Sequence, residues 1–155
     1  DSGYGEGFRT VCFRNALDNS EHIAIVHGDI TTDSTTLVRV HRMDILSDVL
    51  GENGPRHGLV ERAMRVIADA EEPGVVVFVK TMRPNIIAKR LGRKPPVAPD
   101  PTAPIREYGV GAQILRDLGV RRMIYLSGTQ PTRLAGLDGY GLTIEGWRNL
   151  HEENN

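Results

Sequence analysis

Residues 59–79 read LVERAMRVIADAEEPGVVVFV, and this stretch decides the fold class. In its first half Leu59, Ala63, Val66, Ile67 and Ala70 recur at helical spacing, which lays one apolar stripe along an amphipathic helix. Pro73-Gly74 stops that helix, because proline supplies no amide hydrogen and glycine frees the backbone to turn. Val75 to Val79 then runs without a polar residue, the mark of a short strand buried on both faces. A helix that delivers the chain directly into a buried strand predicts a mixed α/β (α+β) fold, a mixed sheet flanked by helices.

Upstream, Phe8 to Arg14 alternates apolar and polar residues as a half-buried strand does, and the polar run from Asn15 to Glu21 reads as a turn. Ile23 to Val26 is a second strand closed by Gly28-Asp29, and Leu37 to His41 is a third. Strands joined this tightly predict an antiparallel meander. Downstream, Ile86 to Leu91 is helix-like, and five of the nine prolines fall between positions 95 and 104, so residues 92–104 are expected to form a Pro-rich loop. Val110, Ile114, Leu115 and Leu118 place a second helix at about Val110–Leu118, with Gly119 as its stop. Met123 to Leu126 is a strand, Pro131 opens a short helix, and Leu142 to Ile144 closes the sheet.

The chain has 155 residues, enough for one domain that buries roughly two thirds of its unfolded surface. A net charge of −1 argues against a general nucleic-acid or membrane-surface field, and no apolar run approaches the ~20 residues of a bilayer span. One cysteine, Cys12, cannot form an internal disulfide; its place in a strand predicts a buried structural thiol. The chain opens on Asp1 with no signal-peptide pattern, so a soluble, cytoplasmic protein, or an excised piece of a longer one, is expected.

Three features bear on chemistry. Gly109-Val110-Gly111 lacks the third glycine of a dinucleotide turn and follows no clear strand, which leaves glycines at a helix entry. The histidines at 22, 27, 41, 57 and 151 never take metal-ligand spacing on a helix and read as polar surface or strand residues. From Lys80 to Arg106 seven cations face the single acid Asp100, either a solvated basic face or a surface for phosphate or an acidic partner.

The run Arg106-Glu107-Tyr108-Gly109-Val110-Gly111-Ala112-Gln113-Ile114-Leu115-Arg116-Asp117-Leu118-Gly119-Val120 resembles the Arg-Asp-Tyr-Gly-Ile-Gly-Ala-Gln-Ile-Leu-x-Asp-Leu-Gly signature of GTP cyclohydrolase II, the zinc enzyme that opens riboflavin biosynthesis. Residues 135–142, residues 21–30 and Arg39-Val40-His41 fit the same family in order, so the resemblance covers nearly the whole chain and implies a single cyclohydrolase II-like domain over residues 1–155.

The resemblance also implies what has changed. The family holds zinc on three thiolates, and the matching positions here are Asp44, Pro55 and His57. Met43 stands for a glutamate, Val60 for a glutamine, and Pro104 for the aspartate that accepts a proton. Lys80-Thr81-Met82-Arg83-Pro84-Asn85-Ile86-Ile87 replaces the segment that handles phosphate and magnesium. Retained are Arg39, His41 and a vestigial catalytic Arg106, with conservative stand-ins at Lys80, Ser127 and Arg133; these are the expected phosphate-binding residues, and Arg39, Lys80, Arg106 and Arg133 are expected to converge.

Neither zinc nor magnesium is therefore expected. Because many members of the family carry a dihydroxybutanone phosphate synthase domain ahead of the cyclohydrolase domain, residues 1–7 suit a linker from such a domain. The expected role is a catalytically silent homodimeric scaffold or regulator of that synthase, with at most a weak GTP or phosphate ligand. The alternatives are a zinc-independent hydrolase acting on GTP or a related purine nucleotide, and a phosphometabolite sensor.

Overall fold

A computed structural model describes residues 2–80, 87–88, 91–93, 103–130 and 137–151; for residues 103–106 and 138 only the backbone is described. The elements in chain order are β1 (Phe8–Arg14), β2 (Glu21–His27), β3 (Thr35–Arg42), a short α1 (Ile45–Asp48), α2 (Leu59–Ala68), β4 (Gly74–Val79), α3 (Ala103–Asp117), β5 (Arg122–Ser127), a single 3-10 turn (Asp138–Tyr140) and β6 (Thr143–Asn149). The six strands form one mixed sheet in the order β1-β2-β4-β3-β5-β6. β1 and β2 are antiparallel, as are β2 and β4, whereas β4, β3, β5 and β6 run parallel to one another.

The expected meander holds only for β1 and β2. β4 inserts between β2 and β3, pairing Val76 with Ile25 on one side and with Arg39 on the other. A strand apolar on both faces gains most in the sheet interior, with a layer on each side. Both layers are present. Val75, Val77 and Val79 join Val38, Met123, Ala112, Ile114 and Leu115 in the core under α3, while Val76 joins Leu37, Leu126, Leu59, Ala63, Met64 and Ile67 under α2. Gly74 is required where α2 crosses β4, because a Cβ there would lie 2.5 Å from Ile67 Cγ2.

Three other expectations need correction. α3 begins at Ala103, inside the stretch read as a Pro-rich loop, because Pro104 is tolerated in a first helical turn where no amide hydrogen is needed. The last strand begins at Thr143 and continues past Ile144 to Asn149, a segment whose Gly146 and polar residues hide it from alternation. Cys12 is exposed, since on the edge strand β1 it is Val11 and Phe13 that turn toward the core under α3. Gly119, at φ +96°, ends the turn after α3 as expected. Pro131 and half of the helix-like run 86–91 lie outside the described residues.

Ser2 and Gly5 form a small backbone bridge, and a Cβ at Gly5 would lie 2.7 Å from Cβ of Ala68, so this stretch packs against the end of α2. Among the described residues no helix is long and apolar enough to cross a membrane.

Candidate functional site

A cavity of about 490 Å³ opens at the carboxyl ends of the parallel strands β3, β4 and β5. This is where ligands bind in open α/β sheets, because strand ends and the segments after them converge there. β3 contributes Arg39 to Arg42, β4 its last residue Val79, and β5 Tyr125 with Ser127-Gly128-Thr129 beyond it. Pro55, Arg56 and Leu59, at and before the start of α2, form another wall, and Glu107 and Tyr108 of α3 complete it. Gly128 is held close under neighbouring side chains, as a Cβ there would meet His151 Nε2 at 2.5 Å and Leu59 Cδ2 at 3.0 Å.

Alternation along β3 sends Arg39 and His41 to the α2 side, where both are buried. Arg39 Nη1 donates to the Leu126 carbonyl at 3.1 Å, and Nη2 lies 3.1 Å from His41 Nδ1. A guanidinium can only donate, so Nδ1 accepts and the imidazole proton sits on Nε2. From there it points to Asp48 Oδ2 at 2.9 Å, and the same oxygen accepts from the Asp44 amide at 2.7 Å. His41 is thereby fixed in one tautomer, with Phe78 edge-on against its ring at 5.7 Å.

Burial is the main force on these groups. It lowers the His41 pKa below the usual imidazole value, with the Asp48 hydrogen bond opposing and the Arg39 charge reinforcing the shift. It lowers Arg39 to about 10, which still leaves a full positive charge at neutral pH. Tyr125 is raised by burial, partly offset by Arg39.

The structure brings Arg39, His41 and Ser127 to one cavity, with Pro55 on its wall. Lys80 is not among the lining residues; its amide donates to His22 Nδ1 at 3.2 Å, on the β2 side of β4. Arg133 and the Arg106 side chain lie outside the described residues. Sequence reasoning passed over Arg56, Arg42 and Glu107. Arg42 and Glu107 form an ion pair at 3.5 Å, and Arg56 Nη2 donates to the Arg42 carbonyl at 2.6 Å. Arg56 sits in the aperiodic stretch before α2, and its only sequence signal is its place between Pro55 and His57.

The metal question can be tested on the donor set. Asp44 is engaged as the cap of α1, its Oδ1 accepting from the Leu46 amide at 3.1 Å. Pro55 has no donor, and His57 is exposed. No group of three His, Cys, Asp or Glu side chains that could hold a metal occurs among the described residues. Arg56 Nε lies 4.0 Å from Asp44 Oδ2. A dication bound to Asp44 at the usual ~2 Å would lie within about 6 Å of that guanidinium. At an effective dielectric near 20 the repulsion is of order 5 kcal/mol. The residues present do not fit a zinc site.

A mixed sheet, helices on both faces and a crevice at the ends of its parallel strands define a mixed α/β domain. Residues 1–149 match the family model of GTP cyclohydrolase II, and the chain belongs to that family. It is 42% identical over 148 residues to the monofunctional riboflavin biosynthesis protein RIBA 2, chloroplastic, of Arabidopsis thaliana, a match covering 90% of this chain and 30% of that protein. It is 34% identical to the 3,4-dihydroxy-2-butanone 4-phosphate synthase of Pseudomonas aeruginosa, over 93% of this chain and 40% of the relative. It is 32% identical to the riboflavin biosynthesis protein RibBA of Bacillus cytotoxicus, over 88% and 37% respectively. The chain thus spans well under half the length of these curated relatives.

Proposed function

We propose that this is a catalytically silent cyclohydrolase II domain, free of zinc and magnesium, that serves riboflavin biosynthesis as a scaffold or regulator of a dihydroxybutanone phosphate synthase domain. The observation that carries the reading is the state of the three thiolate positions. One is a helix cap, one has no donor atom, one faces solvent, and a guanidinium stands beside the single carboxylate among them. Without a metal to activate water, the guanine ring has no nucleophile at this site. What supports the regulatory half is the company the domain keeps. The Pseudomonas relative, matched over 40% of its length, is named for the synthase activity, and the Arabidopsis relative is named monofunctional.

A homodimer is part of the proposal, since a dimeric domain would hold two synthase domains at high effective concentration. Three measurements test the proposal. Elemental analysis of the full-length protein should find well under one zinc per chain, and GTP should remain intact on prolonged incubation. Deleting the domain should lower the oligomeric state or the synthase rate of the full-length protein. Stoichiometric zinc, GTP turnover, or a deletion without effect would each overturn the part of the reading it addresses.

A further inference from the structure

We propose that the free edge of β1 is the surface on which two copies of this domain pair, strand against antiparallel strand about a two-fold axis at Val11, so that one sheet runs through both. The inference rests on the homodimer proposed above and deepens it by giving that dimer its interface and register.

β1 and β6 are the two edges of the sheet, and they are not alike. β6 carries Gly146 and a register shift against β5 at Met123/Ile124, devices that bend an edge away from further pairing. β1 has neither glycine nor proline, and its 7 residues pair with β2 in unbroken register from Phe8 to Arg14. Among the described residues no strand pairs with its outer side. A regular strand that ends a sheet in this way presents a row of unpaired amides and carbonyls to another strand.

The hairpin fixes which groups those are. The Asn15 amide donates to the Ser20 carbonyl at 2.8 Å, and bonded and non-bonded pairs alternate along an antiparallel ladder. Arg9, Val11 and Phe13 therefore turn their amides and carbonyls to β2, while Phe8, Thr10, Cys12 and Arg14 turn theirs outward. A second β1 pairs all of these outward residues only in the register that sets Val11 opposite the partner's Val11. There Thr10 faces the partner's Cys12, Phe8 the partner's Arg14 and Arg9 the partner's Phe13. No two arginines meet, and each lies across from a phenylalanine on its own face of the sheet, Phe8 on the α2 side and Phe13 on the α3 side. Arg14 is in addition paired with Glu21 at 3.3 Å. The strand is thus complementary to itself, as an isologous interface requires.

A second observation comes from the exposed apolar residues beside the strand. Leu17 is 95% exposed, at the tip of a turn fixed by two hydrogen bonds of 2.9 Å, from the Leu17 amide to Asn15 Oδ1 and from the Ser20 amide to Asp18 Oδ1. Tyr4 is exposed in the Ser2–Gly5 bridge at the other end of the strand. In this register Leu17 comes level with the partner's Gly5, so each Leu17 turn lies alongside the partner's Tyr4. Contact there adds apolar area that a pair of strands alone would lack.

The test is disulfide trapping in the full-length protein. Opposed residues of a bonded pair lie about 5.5 Å apart at Cα, within the ~4.4–6.8 Å span of a disulfide. Under mild oxidation Thr10→Cys should give a covalent dimer whose bridge joins the introduced thiol to the partner's Cys12, read by non-reducing electrophoresis and peptide mass spectrometry. The parent, and Thr10→Cys combined with Cys12→Ser, should form no bridge through β1. Residue-resolved hydrogen exchange gives a second reading. The Cys12 amide of the parent should be protected, and Thr10→Pro, which removes only an outward donor, should speed its exchange about tenfold or more while the Val11 amide, bonded to β2, stays protected.

Sedimentation of the same sample separates the two failures. A dimer that forms no bridge in Thr10→Cys, or bridges Cys12 to the partner's Cys12, or exchanges the Cys12 amide equally fast with and without Thr10→Pro, overturns this interface and leaves the homodimer standing. A parent that sediments as a monomer at about 0.1 mM overturns both.

Discussion

The seating of α2 on the sheet can be tested at one contact, Ile67 against Gly74. Ile67 is fully buried, and a methyl group built on Gly74 would lie 2.5 Å from its Cγ2 and 2.7 Å from its Cγ1. Carbon atoms pack at about 3.5–4.0 Å, so Gly74→Ala forces either Ile67 or the strand to move by about 1 Å. Overpacking of this kind costs roughly 1–3 kcal/mol. Ile67→Ala removes both offending carbons but opens a cavity, at a cost of about 2–5 kcal/mol. In the double variant the clash is gone and the new methyl fills part of the space. Its destabilisation should therefore equal that of Ile67→Ala or be smaller, giving a favourable coupling of about 1–3 kcal/mol in the cycle. Urea unfolding midpoints of the four proteins, with m-values checked for constancy, measure it. Additivity within about 0.5 kcal/mol would refute the packing argument, and with it the claim that this contact fixes the helix that carries Leu59 to the cavity.

Gly128→Ala should also destabilise, by about 1–3 kcal/mol, because the new methyl meets Leu59 and His151; a thermal midpoint at or above that of the parent would contradict the close approach. Replacing Asp44, Pro55 and His57 together by cysteine should give weak zinc binding. Adding Arg56→Ser should tighten it about tenfold or more, read by competition with a chromogenic chelator, and no change would remove the repulsion argument. His22 and His41 both have pKa values lowered in the folded state, chiefly by burial. The unfolded chain then binds protons more readily, so their contribution is whole above the ordinary histidine value of about 6.5 and is lost as pH falls through the folded values. Urea midpoints should drop between pH 7.5 and 5.0, and His41→Gln should shallow that drop; a flat profile in the parent would contradict it.

The periodic parts of this fold were legible because helix and strand faces leave local traces. The stripe from Leu59 to Ala70 and the run Val75–Val79 were enough to place α2 and β4. Sheet order was not local. Val75–Val79, apolar on both faces, did announce an interior strand, yet nothing between Gly28 and Ser34 says that β3 must leave room for it. The site divides in the same way. Arg39 and His41 were readable through the resemblance because they lie in a regular strand. Arg56 lies in a polar segment without period, so only its three-dimensional approach to Asp44 and Arg39 gives it meaning.

A domain can lose a metal site without losing its fold when the ligands sit outside the elements that carry the core. The proposed zinc-free reading places this domain in that class. Asp44 caps α1, a single turn, and Pro55 and His57 stand in the irregular segment before α2, while both core clusters are built from β-strands, α2 and α3. Substitution at those positions leaves the apolar contacts of both cores in place. Arg39 is different, because it is buried under α2 and bonded to the Leu126 carbonyl and to His41, so removing it would strand both acceptors. The cation in the sheet is thus tied to folding, whereas the thiolate positions were free to change.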